Sequence, residues 1–120
     1  MVDSLGRLAD NVGTKYSING VIRPVQRMEY LDIKSEKIVY EVIRIIDGIP
    51  LFFEDHYCRL GNSLKLLGYE LVLSADDIVR DIKKLVDANS LKNCNVKIIV
   101  YMEASVQNLI MYVNSSYYPG

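Results

Sequence analysis

The 120-residue chain has little of what defines several common classes of protein. It contains two cysteines, Cys58 and Cys94, and one histidine. Two cysteines are too few for a disulfide framework, and with a single histidine they show no metal-ligand spacing. The sequence therefore predicts no metal site, and it favours a reducing, cytoplasmic setting.

A marked excess of one charge is also missing. Fourteen Lys and Arg residues face 15 Asp and Glu residues, which leaves a formal net charge of -1. Such a balance creates no broad field that attracts nucleic acid or an anionic membrane. The first 15 residues have no apolar core of a signal peptide, and no later apolar run approaches the ~20 residues of a membrane span. We expect neither nucleic acid nor a membrane as a partner.

The length and the apolar content fit one domain. Half of the residues are hydrophobic, and domains commonly have about 100 to 150 residues. Residues 1–15 show no clear period, so we interpret them as a flexible N-terminal arm, with order beginning near Tyr16. Residues 16–120 then form the domain.

Three hairpins are predicted from turn dipeptides and β-branched runs. Asn19-Gly20 and Asp47-Gly48 readily supply two positive φ angles for two-residue turns. The apolar strand 39–46, which precedes the second turn, is expected to be central in the sheet. The runs 95–102 and 109–113 predict a third hairpin, joined by the polar residues between them.

Two helices follow from capping residues and apolar spacing. Asp55 can cap a helix that ends near Leu67, with Gly68 in the left-handed conformation. Ser74 can cap a second helix over residues 75–88, where apolar residues fall on one face. Four strands, two helices and two strands thus indicate an α+β domain. We expect an antiparallel sheet of about six strands with both helices packed on one side.

One stretch of the chain carries a family pattern. It reads Tyr40-Glu41-x-Ile43-Arg44, then Asp47-Gly48, then His56-x-x-Arg59-Leu60 with Ser63 following. This pattern resembles the N-terminal, small domain of the class IV, fold-type IV pyridoxal-phosphate aminotransferases. That family includes branched-chain and D-amino-acid aminotransferases and aminodeoxychorismate lyase. The resemblance covers residues 16–118 and implies the same α+β fold.

The resemblance assigns Arg59 to the cofactor. In the family, the arginine of this motif reaches the phosphate of pyridoxal phosphate, because a guanidinium offers a planar fork to phosphate oxygens. The alternative is a surface arginine that pairs with Glu54 or Asp55. His56, one helical turn before Arg59, is interpreted as a cap or a packing partner and not as a catalytic group.

Two residues of the first motif are candidates for substrate binding. Tyr40 matches the family tyrosine that borders the substrate side of the cofactor; the alternative is a sheet tyrosine with an apolar body and a wet tip. Arg44 lies on the same strand face as Tyr40, so it can help to shape the pocket. The alternative for Arg44 is a solvated strand arginine.

The resemblance also indicates what this sequence does not contain. Transamination needs a Schiff-base lysine and an acid at the pyridine nitrogen, and in the family both belong to the C-terminal domain. We therefore assign no catalytic residue, and whether the chain is an enzyme stays open. We expect it to be inactive alone and to bind pyridoxal phosphate only within a full-length enzyme that acts on an amino acid or a 2-oxo acid.

Two segments depart from the family pattern. Lys34–Lys37 stands where many members have a glycine-rich turn, and Tyr101–Ala104 stands where many have Arg-Gly after the penultimate strand. These changes leave open that substrate recognition differs or has been lost. The alternatives to an aminotransferase are a non-catalytic interaction or dimerisation module of the same fold and a pyridoxal-phosphate lyase. In each case we expect a homodimer or a larger assembly.

Overall fold

The computed structural model describes residues 11–26 and 37–114. Their elements, in chain order, are β1 (Asn11–Ile18), β2 (Val21–Pro24), β3 (Ile38–Ile46), β4 (Ile49–Pro50), α1 (Phe53–Leu66), α2 (Ala75–Ala88), β5 (Cys94–Glu103) and β6 (Val106–Asn114). The strands form a six-stranded antiparallel sheet in the order β2-β1-β6-β5-β3-β4. The predicted α+β fold and the predicted order of elements are confirmed.

Both helices cover the same face of the sheet. Alternate residues of a strand point to opposite faces, and one set packs with the helices into the main core. That core contains Ile43, Ile45, Leu60, Leu64, Ile78, Ile82, Leu85, Val86, Cys94, Val96, Ile98, Val100, Leu109, Met111 and Val113. A second buried cluster lies on the other face, with Tyr16, Ile99, Tyr101, Ile110 and Tyr112.

The prediction that the strand near residues 39–46 is central was wrong. β5 and β6 occupy the centre, and β3 lies next to the end of the sheet. β3 pairs along Ile38–Ile45 with β5, but β4 pairs only with Ile45 and Ile46. β4 ends at Pro50, which cannot donate a ladder hydrogen bond. β3 is apolar because α1 covers one of its faces, and not because it lies between long strands. An apolar composition therefore did not indicate a central position.

Three hairpin turns have two positive φ angles each, but only two of these turns contain glycine. Asn19-Gly20 has φ angles of 49° and 81°, and Asp47-Gly48 has 50° and 76°, so both predicted turns are confirmed. The third turn is Ala104-Ser105, with φ angles of 51° and 65°. Because this turn takes only two residues, β5 extends to Glu103 and β6 begins at Val106. Both strands are therefore longer than predicted.

The first strand begins earlier than the sequence suggested. β1 starts at Asn11, so part of the predicted flexible arm belongs to the sheet. The cause is a contact distant in sequence: Asn89, at the end of α2, accepts hydrogen bonds from the backbone N–H groups of Thr14 (2.8 Å) and Lys15 (3.1 Å). The remainder of the predicted arm, residues 1–10, lies outside the described residues.

The two helices begin in different ways. α2 begins as predicted, because Ser74 Oγ accepts a hydrogen bond of 3.1 Å from the backbone N–H of Asp77. α1 does not use Asp55 as its cap. Its N-cap is Phe52, which is left-handed (φ 54°, ψ 37°) and makes no side-chain capping hydrogen bond, and Asp55 lies in the first turn. No helix in residues 11–26 and 37–114 is long and apolar enough to cross a membrane.

The predicted end of α1 is confirmed. Gly68 has a φ of 89°, which is the left-handed conformation that glycine adopts without steric cost. The N–H of Gly68 donates to the carbonyl of Lys65, and the N–H of Tyr69 donates to the carbonyl of Leu64, each over 3.0 Å. These two bonds form a Schellman motif, which satisfies the last carbonyls of the helix.

Candidate functional site

All three site residues predicted from the sequence line one groove. Tyr40 and Arg44 come from β3, and Arg59 comes from α1. The groove has a volume of about 410 Å³, and its lining comprises Tyr40, Glu41, Val42, Arg44, His56 and Arg59. The structure therefore brings together residues that the family pattern had linked only in sequence.

The groove forms because β3 and the start of α1 meet at an edge of the sheet. Along β3, Tyr40 and Arg44 point away from the helices, while Glu41 between them points towards α1. On α1, His56 and Arg59 are three residues apart and so lie on one helix face. In the described part of the chain β4 pairs only with the last two residues of β3, which leaves this edge open beside the groove.

Arg59 is held by a partner from β3. Its Nε donates to Glu41 Oε1 over 2.8 Å, and the side chains of Arg59 and Glu41 are 57% and 20% exposed. Arg59 pairs with Glu41 and not with the alternative partners Glu54 or Asp55, which lie exposed in the first turn of α1. Glu41 belongs to the sequence motif, but no local signal in the sequence indicates that it pairs with Arg59.

His56 joins the arginine and the glutamate. Its Nδ1 lies 2.9 Å from Glu41 Oε1 and 2.9 Å from Arg59 Nη2. A single ring nitrogen either donates or accepts, so a protonated Nδ1 donates to Glu41 and an unprotonated Nδ1 accepts from Arg59. His56 is thus a polar neighbour of Arg59 and Glu41 in the groove, and the cap of α1 is Phe52.

Tyr40 forms an exposed wall of the groove. Its side chain is 56% exposed, and the Nζ of buried Lys97 lies 4.7 Å from the centroid of its ring. This distance is within the range of a cation–π contact. Sequence reasoning missed this role of Lys97; the available signal was a lysine in the middle of an apolar strand.

Arg44 contributes a second exposed guanidinium. Its Nη1 donates to Asn95 Oδ1 over 3.4 Å, on the neighbouring strand β5. Burial raises the pKa of the nearby Cys94 thiol, and the charge of Arg44 partly offsets that rise. Among the lining residues that the structure describes, Glu41 is the one acidic residue, so this part of the groove combines two guanidinium groups with one carboxylate.

The chemistry of the groove suits an anion with a flat apolar body. A guanidinium binds phosphate or carboxylate oxygens through its planar fork, and an aromatic ring offers an apolar wall beside it. The volume of the groove falls in the range of small-molecule sites. Among residues 11–26 and 37–114, no group of three or more His, Cys, Asp or Glu residues is arranged to hold a metal ion.

Two curated proteins are similar to parts of this chain. D-alanine aminotransferase from Bacillus licheniformis is 41% identical over 51 residues, which is 42% of this chain and 18% of that protein. Aminodeoxychorismate lyase from Bacillus subtilis (strain 168) is 29% identical over 70 residues, which is 58% of this chain and 24% of that protein. The matched parts thus span less than a quarter of either relative.

Solved structures share the fold at low identity. Branched-chain amino acid aminotransferase from Escherichia coli superposes with a TM-score of 0.72 at 15% identity, over 84% of this chain and 40% of that chain. A mutant of the branched-chain amino acid aminotransferase from Thermobaculum terrenum gives a TM-score of 0.71 at 20% identity, over 91% of this chain and 40% of that chain. At such identities the likeness shows the fold alone.

The family itself follows from a match that covers most of the chain. A family model described as amino-transferase class IV matches residues 38–119, which include β3, both helices and the whole groove. That family depends on pyridoxal phosphate. By this match, the chain belongs to the class IV aminotransferase family.

Proposed function

We propose that this chain is the N-terminal, small domain of a pyridoxal-phosphate-dependent class IV aminotransferase, which transfers an amino group between an amino acid and a 2-oxo acid. The observation that carries the proposal is Arg59. Its guanidinium is fixed at one edge by Glu41, and its side chain remains more than half exposed in a groove that Tyr40 and Arg44 also line.

The groove residues fit the phosphate end of the cofactor. A guanidinium has five N–H donors, and two of those on Arg59 face Glu41 and His56. In the described part of the chain no hydrogen bond engages the other three, so they can meet phosphate oxygens. When bound, the cofactor supplies the electron sink that the amino-group transfer needs.

The same groove offers two groups for the substrate side. Tyr40 presents an exposed ring, whose position the ammonium of Lys97 supports from below. Arg44 presents an exposed guanidinium that suits a carboxylate. At the predicted departure near Tyr101–Ala104, β5 ends in a tight turn without an arginine, so we assign the substrate carboxylate to Arg44. The other departure, Lys34–Lys37, lies outside the described residues except for Lys37.

A second domain belongs to this proposal. The chain spans about two fifths of the solved aminotransferases that share its fold. We propose that the lysine which reacts with the cofactor comes from the rest of such an enzyme, so that the 120 residues alone are inactive. Cytoplasmic localisation and homodimerisation stay predictions. The similarity to aminodeoxychorismate lyase favours a lyase of the same family as the second candidate.

The test is whether the chain recognises phosphate through Arg59. We do not expect the chain alone to hold the whole cofactor stably, but weak phosphate contacts at Arg59 can be followed without the second domain. At high concentration, pyridoxamine 5′-phosphate and inorganic phosphate, but not pyridoxamine, should shift the Arg59 Nε–H signal in an NMR titration. These compounds carry no aldehyde, so they cannot react with surface lysines. Arg59→Ala should abolish the phosphate-dependent shifts of neighbouring backbone signals.

The matched control is Arg80→Ala. Arg80 is a similarly exposed arginine on α2 that pairs with Asp77, and it does not line the groove. Its replacement should leave the phosphate response unchanged. Phosphate shifts that survive Arg59→Ala, or no phosphate response in the unaltered chain, would contradict the proposal and favour the non-catalytic interaction module.

A further inference from the structure

The carboxylate of Glu41 is placed where it controls the orientation of Arg59. Glu41 lies on β3, largely buried, and its Oε1 is 2.8 Å from Arg59 Nε and 2.9 Å from His56 Nδ1. Arg59 lies on a different element, α1, and its side chain is otherwise exposed. The strand therefore supplies the fixed point against which a long, mobile side chain is held.

The hydrogen bonds engage one particular edge of the guanidinium. The Nε–H and the inner N–H of Nη2 point in the same direction and form the side edge of the group. The Nε–H donates into the protein, to Glu41 Oε1, and Nη2 lies 2.9 Å from His56 Nδ1, so this edge faces the protein. The end formed by Nη1 and the outer N–H of Nη2 is left for a ligand, and this end is a fork that matches two phosphate oxygens.

We propose that Glu41 is a positioning residue, which fixes the side edge of Arg59 so that the end of the guanidinium is presented to the cofactor phosphate. This inference rests on the proposed function, because it assigns the phosphate to Arg59. Glu41 itself does not touch the phosphate. Its contribution is to remove in advance the freedom that Arg59 would otherwise lose on binding.

Glu41 is expected to strengthen phosphate binding by fixing the orientation of Arg59 and to weaken it by its negative charge. Its negative charge lowers the local potential and so weakens the binding of any anion. That effect is small here, because the Arg59 end of the pair is solvent-exposed and salt screens such charges. Fixing a rotamer-rich side chain has a larger effect, so the loss of Glu41 should weaken phosphate binding by about fivefold.

Two substitutions separate position from charge. Glu41→Gln removes the charge but keeps an oxygen that accepts from Nε, whereas Glu41→Ala removes both. The proposal predicts that Glu41→Gln binds inorganic phosphate within about twofold of the unaltered chain and that Glu41→Ala binds it about fivefold more weakly. A purely electrostatic role predicts tighter binding by both variants, and no role predicts no change in either.

The measurement is an NMR titration of the 120-residue chain with inorganic phosphate, followed at the Arg59 Nε–H and at neighbouring backbone signals. In the unaltered chain and in Glu41→Gln, the Arg59 Nε–H should exchange slowly with water, and in Glu41→Ala rapidly. If Glu41→Ala fails to fold, Glu41→Thr replaces it. Threonine favours a strand but is too short to reach Arg59, and the same fivefold loss is expected.

The outcomes distinguish this inference from the proposed function. If the unaltered chain shows no phosphate response that depends on Arg59, the proposed function fails. If that response is present but both Glu41→Ala and Glu41→Thr retain the affinity of the unaltered chain, or exceed it, Glu41 is not a positioning residue although Arg59 still binds phosphate. Thermal unfolding of each variant confirms that it is folded during the titration.

Discussion

The two helices have the same length but serve different purposes. Each has 14 residues. α2 contributes five residues to the interior, and they are Ile78, Asp81, Ile82, Leu85 and Val86. α1 buries two, Leu60 and Leu64, but it carries both the histidine and the arginine of the groove. The molecule therefore places its stability mainly in α2 and its binding chemistry in α1.

The starts of the helices show the same division. Ser74 satisfies a free N–H group at the start of α2, which is the usual way to stabilise a helix end. α1 instead follows a left-handed phenylalanine that is 75% exposed. A left-handed conformation costs a non-glycine residue ~1–2 kcal/mol, and an exposed ring recovers little of this by burial. The start of α1, beside the groove, thus lacks both the side-chain capping bond and the unstrained backbone conformation that the start of α2 has.

The largest expected effect is in α2. Ile82 is fully buried beneath the sheet, so Ile82→Ala should lower the free energy of unfolding by about 3 kcal/mol, through lost burial and the cavity that remains. Urea unfolding measures this loss. The exposed Leu66 of α1 supplies the control, because Leu66→Ala should change the free energy by less than about 0.5 kcal/mol. Equal effects of the two substitutions would remove the contrast between the helices.

A smaller effect, of opposite sign in the two helices, is expected at their starts. Ser74→Ala should lower the free energy of unfolding by about 1 kcal/mol, because an N–H group of α2 loses its acceptor. Phe52→Gly should raise it by about 0.5 kcal/mol, because the relief of the left-handed strain exceeds the entropy that glycine adds to the unfolded chain. Urea unfolding midpoints at constant slope give both values.

Phe52→Ala is the control for the start of α1. Alanine keeps the cost of a positive φ, so it should give no stabilisation. A gain in stability from alanine as large as that from glycine would show that the exposed ring, and not the backbone, is the unfavourable feature. A loss of stability in Phe52→Gly would mean that the phenylalanine is held in place by contacts that outweigh its strain.

The contrast also explains which parts of the fold were predictable. α2 was predicted to the residue, because its cap, acidic first turn and apolar spacing are local signals. The start of α1 was missed, because Phe52 adopts a conformation that its residue type disfavours. The Ala104-Ser105 turn was missed for the same reason, since neither residue signals a positive φ.

Short sequence motifs predicted which residues line the site, but not how those residues pair. Tyr40, Arg44 and Arg59 were identified by the family pattern, and the structure brings them to one groove. The pairing of Arg59 with Glu41 joins residues 18 positions apart and depends on how α1 packs on β3. Local sequence favoured the adjacent acids of the first turn instead. Partners across elements are a property of packing, which propensity and periodicity do not specify.

The smallest effect concerns the two thiols, which compare the exposed surface of α1 with the buried sheet. Cys58 is exposed on α1, and Cys94 is buried at the start of β5. Because burial raises the pKa of the Cys94 thiol, less of it is thiolate, the form that reacts. At about pH 8, a thiol reagent should therefore modify Cys58 rapidly, and Cys94 only after unfolding, as intact mass can show.

Cys58→Ser tests both parts of this prediction. The substitution should remove the rapid modification and change the free energy of unfolding by less than about 0.5 kcal/mol, since the side chain is exposed. The raised pKa of Cys94 also fixes a direction with pH. Its contribution to stability is complete below the pKa of an unfolded cysteine and decreases above it, because the unfolded chain releases that proton first. Rapid modification of Cys94 in the folded chain would show that the start of β5 opens readily, and the contrast between the exposed thiol of α1 and the buried thiol of the sheet would then fail.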